Sequence, residues 1–263
     1  MADIINPIGP GFLTSQTADP GLTGKLWRGI DRSVGAFDPM NGFFHVERGQ
    51  GGVGAFTSSQ IGAVGTALFI ANPISGLGSV LELDCATNTD GNGIQVQYPG
   101  LGVNPKDGMI ICWETMVQLK DIATTGPELF LGMATLGTGL ITSDAYNMAD
   151  WIGFASLGGA ATTSVAFGVE DGSQDISATA AKTFTDGDVT TDGTAWTRLG
   201  FRWEVGTKLE AYVDGSKIDT SDVAESNAPD GAIVCSYVCQ CGGSNIDSIM
   251  HVAYTAFGYT QIR

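Results

Sequence analysis

Basic residues are scarce in this sequence: 12 Lys and Arg stand against 28 Asp and Glu, and there are only two histidines. The formal charge of −16 repels nucleic acid and anionic membrane, so neither is an expected partner. Charged residues supply only 15% of the chain, against roughly 25% in an average globular domain. Apolar residues make up 43%, enough to offset the entropy of ordering the chain, so the sequence is not that of a disordered protein. Long apolar runs are missing too, because Gly, Ser, Thr or Asn interrupts each one before the roughly 18 residues a spanning helix needs. The opening MADIINPIGPGFLTSQ lacks a basic stretch followed by an apolar one, which predicts folding in a cytoplasm.

Motifs for the commoner chemistries are also lacking. No Walker loop, Rossmann fingerprint, zinc motif or nucleophile elbow occurs, and His45 and His251 belong to none of these patterns. Both histidines read as ordinary side chains, exposed or satisfied by a hydrogen bond. Cys85, Cys112, Cys235, Cys239 and Cys241 are odd in number and irregularly spaced, which argues against a secreted disulfide scaffold. Without a complementary CxxC pair they read as buried or half-buried free thiols, Cys239 and Cys241 sharing one face of a strand.

What is abundant is glycine, 38 residues without a three-residue period, which points to many turns and excludes collagen. Charge is unevenly spread: residues 1–60 carry five acids and four bases, the remainder 23 acids and eight bases. Between Asp121 and Thr197 ten acids face only Lys182, a composition suited to a solvated outer surface.

Residues 1–60 read as an N-terminal arm and lead-in, broken by Pro7, Pro10, Pro20 and Pro39 and by the glycines from Gly49 to Gly54. Leu26, Trp27, Phe43 and Phe44 are its apolar anchors, either closing one end of the main domain or binding a neighbouring subunit. Residues 61–263 read as a single all-β domain, with strands expected at Thr66–Ile70, Ser79–Cys85, Ile94–Tyr98, Met109–Leu119, Glu128–Met133, Trp151–Ala155, Thr163–Val169, Ser177–Phe184, Ala232–Tyr237 and Met250–Phe257. A helical turn near Ser143–Met148 is the one helix signal.

The clearest segment is TRLGFRWEV, where Leu199, Phe201, Trp203 and Val205 alternate with Arg198, Gly200, Arg202 and Glu204. A polar turn leads into LEAYVDG, which alternates likewise, with Glu210, Tyr212 and Asp214 on the polar side. This predicts an antiparallel hairpin with one face on a core and the other wet. Two such half-apolar sheets cover each other as a sandwich, and the absence of helical crossovers excludes a doubly wound fold.

The segment WTRLGFRWEVGTKLEAYVDGSKI, residues 196–218, resembles the late hairpin of concanavalin-A-like lectin, laminin-G-like and glucanase domains. The resemblance covers about residues 60–262 and implies a concanavalin-A-like jelly-roll sandwich of two antiparallel sheets preceded by the irregular arm. More loosely, DWIGFASLGG at 150–159 and the Gly/Pro-rich opening resemble structural proteins of tailed bacteriophages, on capsid surfaces or fibres. That likeness implies a non-enzymatic virion component: a capsid decoration or surface-fibre protein, assembled in the host cytoplasm and exposed on the virion. It would bind capsid or other virion proteins as a homo-oligomer, a trimer among the options.

Two other functions compete. In a carbohydrate-binding, lectin-like module, Tyr146, Trp151 or Tyr212 would stack on a sugar of a surface glycan. In a glycoside hydrolase, Glu82 and Asp84 match the first two positions of the glucanase Glu-x-Asp-x-Glu pattern, but the third, the general acid, is Ala86, for which Glu114 would have to stand in. No cofactor is expected except calcium, for which Asp90, Asn92, Asp171, Asp175, Asp186 and Asp188 offer hard oxygen ligands in polar turns.

Overall fold

The computed structural model describes residue 26, the backbone of 43–48, and residues 56–62, 65–71, 79–86, 89–122, 126–142, 145–156, 163–187, 195–242 and 248–260. Two antiparallel sheets form a jelly-roll-like sandwich. The first runs in the order β16 (Ser216–Lys217), β15 (Lys208–Val213), β14 (Thr197–Glu204), β6 (Ile110–Lys120), β18 (Ile249–Tyr259), β4 (Ser79–Asp84) and β3 (Thr66–Ala71), with β1 (Phe43–Arg48) also pairing along β18. The second runs β12 (Gln174–Ile176), β11 (Ser164–Asp171), β10 (Asp150–Ser156), β7 (Glu128–Thr135), β17 (Ile233–Gln240), β5 (Gly93–Val103) and β2 (Thr57–Ile61), with β13 (Lys182–Thr183) also on β11. A two-stranded ladder, β8 (Ile141–Thr142) with β9 (Ala145–Tyr146), stands where a helical turn was expected, and a 3-10 turn spans Glu225–Asn227. No helix among the described residues is long and apolar enough to cross a membrane.

The alternation along each strand explains the core. Leu199, Phe201 and Trp203 of β14, Ile111, Trp113 and Val117 of β6, and Leu129, Leu131 and Met133 of β7 meet Ile152, Phe154, Phe167 and Tyr237 in one apolar cluster between the sheets. The Trp113 and Phe201 rings stack with centroids 5.7 Å apart. Tyr237 reaches through this core from the second sheet, its hydroxyl 3.0 Å from Thr115 Oγ1 and 2.6 Å from Thr255 Oγ1.

Three expectations need correction. The backbone of β1 pairs with β18 from Phe43↔Tyr259 to Arg48↔Tyr254, and β2 pairs with β5, so the sandwich draws in strands from upstream of residue 61. Residues 177–184 contribute only the two-residue β13, because the preceding chain closes the short β12 against β11 instead.

The third correction concerns the outward side of the β14–β15 hairpin, which is not wet. Gly200, Arg202, Glu210 and Tyr212 are buried. Leu26, fully buried, packs there with Cys112, Met116, Tyr212 and Tyr254, and its carbonyl accepts the Cys112 thiol at 3.2 Å. Leu26 therefore anchors within its own chain rather than offering itself to a subunit. Trp27 and the side chains of Phe43, Phe44 and His45 lie outside the described residues.

Candidate functional site

The second sheet also carries an apolar cluster on its outer face. Phe130 and Ala134 of β7, Trp151 and Ala155 of β10 and Val238 of β17 point away from the core and are covered by Leu140, Ile141 and Met148 from the β7–β10 connection. Two glutamines of β5 hold that connection down. Gln95 Nε2 donates to the Gly137 carbonyl at 2.6 Å and its Oε1 accepts the Leu140 N–H at 3.0 Å. Gln97 Oε1 accepts the Gly137 N–H at 2.9 Å, while its Nε2 donates to Thr135 O and Ser236 Oγ. Both side chains are buried, so the bonds replace water contacts that the strand face would otherwise keep.

The covering layer ends at Tyr146, and an open groove begins there. Its volume is about 330 Å³; it is floored by Ala155, Ser164 and Ala166, and Tyr146 faces Ser177 and Ala178 across it. That volume falls at the small end of the roughly 300–1,000 Å³ usual for small-molecule sites. The Tyr146 hydroxyl donates to the Ser156 carbonyl at 2.8 Å and its ring leans on Trp151, centroids 5.4 Å apart. Burial, reinforced by the Glu128 carboxylate, pushes the Tyr146 phenol above its ordinary range, so it stays protonated. Across the groove, Asp222 accepts both the Ser177 hydroxyl at 2.9 Å and the Ala178 N–H at 3.0 Å, which fixes that wall. The result is a cleft lined by uncharged side chains, with one aromatic edge and three serines whose hydroxyls also bond Pro127 O, Thr183 Oγ1 and Asp222 Oδ2.

Of the three aromatic residues expected to stack on a sugar, only Tyr146 reaches open space. Trp151 is fully buried, lying against the backbone of Gly168 and donating its indole N–H to Glu170. Burial raises the Glu170 carboxyl, the Trp151 bond lowers it, and the Asp150 charge raises it again. Tyr212 is buried on the other sheet and donates to Glu210 Oε2 at 3.2 Å. Both are covered for one reason: the outward faces of their strands each carry a second apolar layer.

The acidic turns behave differently from one another. Asp150, Asp171 and Asp230 each direct a carboxylate oxygen into one group, these oxygens lying within 4.8 Å of one another, a spacing that can hold a divalent cation. Asp150 pairs directly with Asp171 across β10 and β11, which explains two of the three. Slight burial raises the Asp171 carboxyl, and the charges of Asp230 and Asp150 raise it further. Only Asp171 was legible as a calcium candidate. Asp175 is committed instead to the Ala224 N–H and Asn227 Nδ2, and Asp186 accepts the Ile122 N–H. Asp90 is exposed in its turn, Asn92 packs against Gly62, and Asp188 lies outside the described residues. The carboxylate group and the groove sit at opposite ends of β10, six residues or about 20 Å apart, so a cation there would not touch a groove ligand.

Of the carboxylates in the hydrolase pattern, Glu82 and Asp84 lie two residues apart on β4, and Glu114, the stand-in acid, is remote from Glu82. Glu82 Oε2 lies 3.0 Å from His251 Nε2, and His251 stands across from Gln118 of β6. Glu114 lies four residues farther along β6, about 13 Å by strand rise, where it accepts the Tyr254 hydroxyl at 2.9 Å. A retaining pair needs about 5.5 Å. Ala86 takes a left-handed backbone with φ of 55°, and its N–H donates to Asp84 Oδ1 at 2.7 Å.

The architecture is an all-β jelly-roll sandwich of two antiparallel sheets, a fold that this chain shares with lectins of the concanavalin-A type. No family model matches the sequence, and no curated protein matches it. Its backbone is similar to that of a protein of unknown function from Shewanella oneidensis MR-1 (8% identity, 84% of this chain and 87% of that one, TM-score 0.54). It is also similar to peanut lectin solved with a nine-residue peptide (13%, 84% and 99%, 0.51) and to the globular domain of T. cruzi calreticulin (10%, 84% and 88%, 0.51). At these identities the likeness is one of fold.

Proposed function

We propose that this chain is a carbohydrate-binding, lectin-like module that takes a neutral sugar in the groove beside Tyr146. The observation that carries the reading is the groove's construction, an aromatic edge and serine hydroxyls over a floor of small side chains. A sugar ring has apolar C–H faces and a rim of hydroxyls, and such a cleft complements both. A lectin among the similar folds supports the reading at the level of fold. The reading is one of binding rather than hydrolysis: the glucanase pattern has Ala86 in place of its general acid, and Glu114 lies about 13 Å by strand rise from the β6 position in line with Glu82.

Calcium at Asp150, Asp171 and Asp230 has a structural role in this reading, pinning the Asp230 loop to the end of the β10–β11 pair. Attachment to a capsid lattice rests on sequence texture, and Leu26, one of its four anchors, is buried within its own chain. Glycan binding therefore takes precedence, and a sugar-binding domain on a virion surface would satisfy both.

The test is a glycan array probed with the full chain, followed by calorimetry on the best neutral sugar. Binding that Tyr146→Ala weakens at least tenfold supports the groove. Absence of binding across the array, or binding that Tyr146→Ala leaves unchanged, rejects it.

A further inference from the structure

Cys85 closes the end of β4 in the first sheet, and Cys239 lies on β17 in the second. Both side chains turn into the space between the sheets, where their sulfurs are 3.6 Å apart and fully buried. One carbonyl orders the pair: Ser248 O accepts the Cys85 N–H at 3.2 Å and the Cys239 thiol at 3.7 Å. Cys239 sits on two hydrogen-bonded ladders, opposite both Ile94 and Leu129, and Cys85, the residue after β4, is tied by its N–H to Ser248, so both backbones are held in place.

We infer that Cys85 and Cys239 form a latent inter-sheet disulfide, made when a hydroperoxide oxidises one of the two thiols. The geometry is favourable because closing a 3.6 Å contact to a bond of about 2.05 Å is within reach of side-chain rotation alone. Opposed sheets about 10 Å apart otherwise hold facing residues too far apart to bridge unless both side chains point at each other, as these do.

The oxidant must be small, since both sulfurs are buried and are reached only through local opening of the strand ends. One thiol, as thiolate, attacks the peroxide oxygen and breaks the O–O bond, giving a sulfenic acid and, after protonation of the leaving oxygen, water. The second sulfur attacks the sulfenic sulfur, forms the S–S bond and expels the hydroxyl as a second water. Overall two thiols and one hydrogen peroxide give one disulfide and two waters. The other cysteines compete poorly: burial pushes the Cys235 thiol well up, and Cys112 donates to the Leu26 carbonyl on the far side of the first sheet.

The bridge would join residues 154 positions apart in sequence and staple the two sheets directly. The experiment treats the reduced full chain with hydrogen peroxide, traps remaining thiols by alkylation in denaturant, and maps peptides. The expected product is a Cys85–Cys239 linked pair, two hydrogens lighter, in a protein that melts at higher temperature until dithiothreitol reverses the shift. Cys112→Ser should keep the linkage, whereas Cys239→Ser should lose both linkage and shift. The wild-type peptide map decides the matter even if a variant does not fold. Cys239 linked to Cys235 or Cys241 overturns the inference. So does recovery of Cys85 and Cys239 as free thiols after peroxide has oxidised the methionines.

Discussion

The indole of Trp151 lies directly against the backbone of Gly168: a β-carbon at residue 168 would stand 2.8 Å from Trp151 Cη2 and 2.9 Å from the Asp175 carbonyl. The two residues belong to paired strands, with Gly168 opposite Gly153 and Trp151 opposite Glu170. Trp151 supports Tyr146 in turn, so the absence of one side chain sets the position of the groove's aromatic edge.

Gly168→Ala should therefore destabilise the fold by about 1–3 kcal/mol, the usual cost of overpacking a tight site. Urea denaturation measures it. The same variant should weaken sugar binding by displacing Trp151 and Tyr146, which calorimetry would detect at temperatures where the variant is folded.

Gln95→Ala removes the acceptor of the Leu140 N–H and the donor to the Gly137 carbonyl at once. Leaving such groups unsatisfied costs about 1–3 kcal/mol each when water cannot reach them, and less where the loop opens to solvent. Hydrogen exchange should show the Leu140 amide losing protection while amides in the centre of β6 keep theirs. Equal protection at Leu140 in both proteins would mean that the glutamine does not hold the loop.

Tyr146→Phe separates two roles. It keeps the ring that borders the groove and deletes the hydrogen bond to Ser156. A loss of about 0.5–1.5 kcal/mol in stability is expected for the bond, with sugar affinity falling far less than in Tyr146→Ala.

The carboxylate group is expected to make stability depend on pH and, where it holds an ion, on calcium. Because the Asp171 carboxyl is raised in the folded protein, the folded state holds its proton more tightly than the unfolded chain does. Its contribution therefore becomes less favourable as pH rises through the window from the ordinary carboxylate value to the raised one, and stays so above it. Asp171→Asn should raise the melting temperature at neutral pH in the presence of EDTA. Calcium should raise it in the wild type and have a smaller effect in the variant. A calcium response that is equal in the two proteins, or missing from the wild type, would show that these carboxylates hold no ion.

Alternation made the sandwich legible, since inward positions such as Leu199, Phe201 and Trp203 follow from a period of two with no knowledge of their partners. The outer layers were not legible on the same grounds. Arg202, Glu210 and Gln97 are residues that water normally keeps, and their burial depends on residues that return from far away, Leu26 in one case and Gly137, Leu140, Ile141 and Met148 in the other. The groove had one visible member, Tyr146, because Ser156, Ser164 and Ser177 carry no pattern of their own until β10, β11 and β12 align them. Asp150 became predictable only once β10 was paired with β11, and Asp230 only once its loop was brought beside them.

β18, Ile249–Tyr259, lies between β6 and β4 and is also the partner of β1. A ribosome making this chain delivers the central strand of the first sheet after every strand it must join. Until then β6 and β4 each present an unpaired edge, and the sheet cannot close from its N-terminal side inward. Folding of that sheet therefore waits until β18 itself has been made, and in the interval the nascent chain exposes strand edges able to pair with another chain.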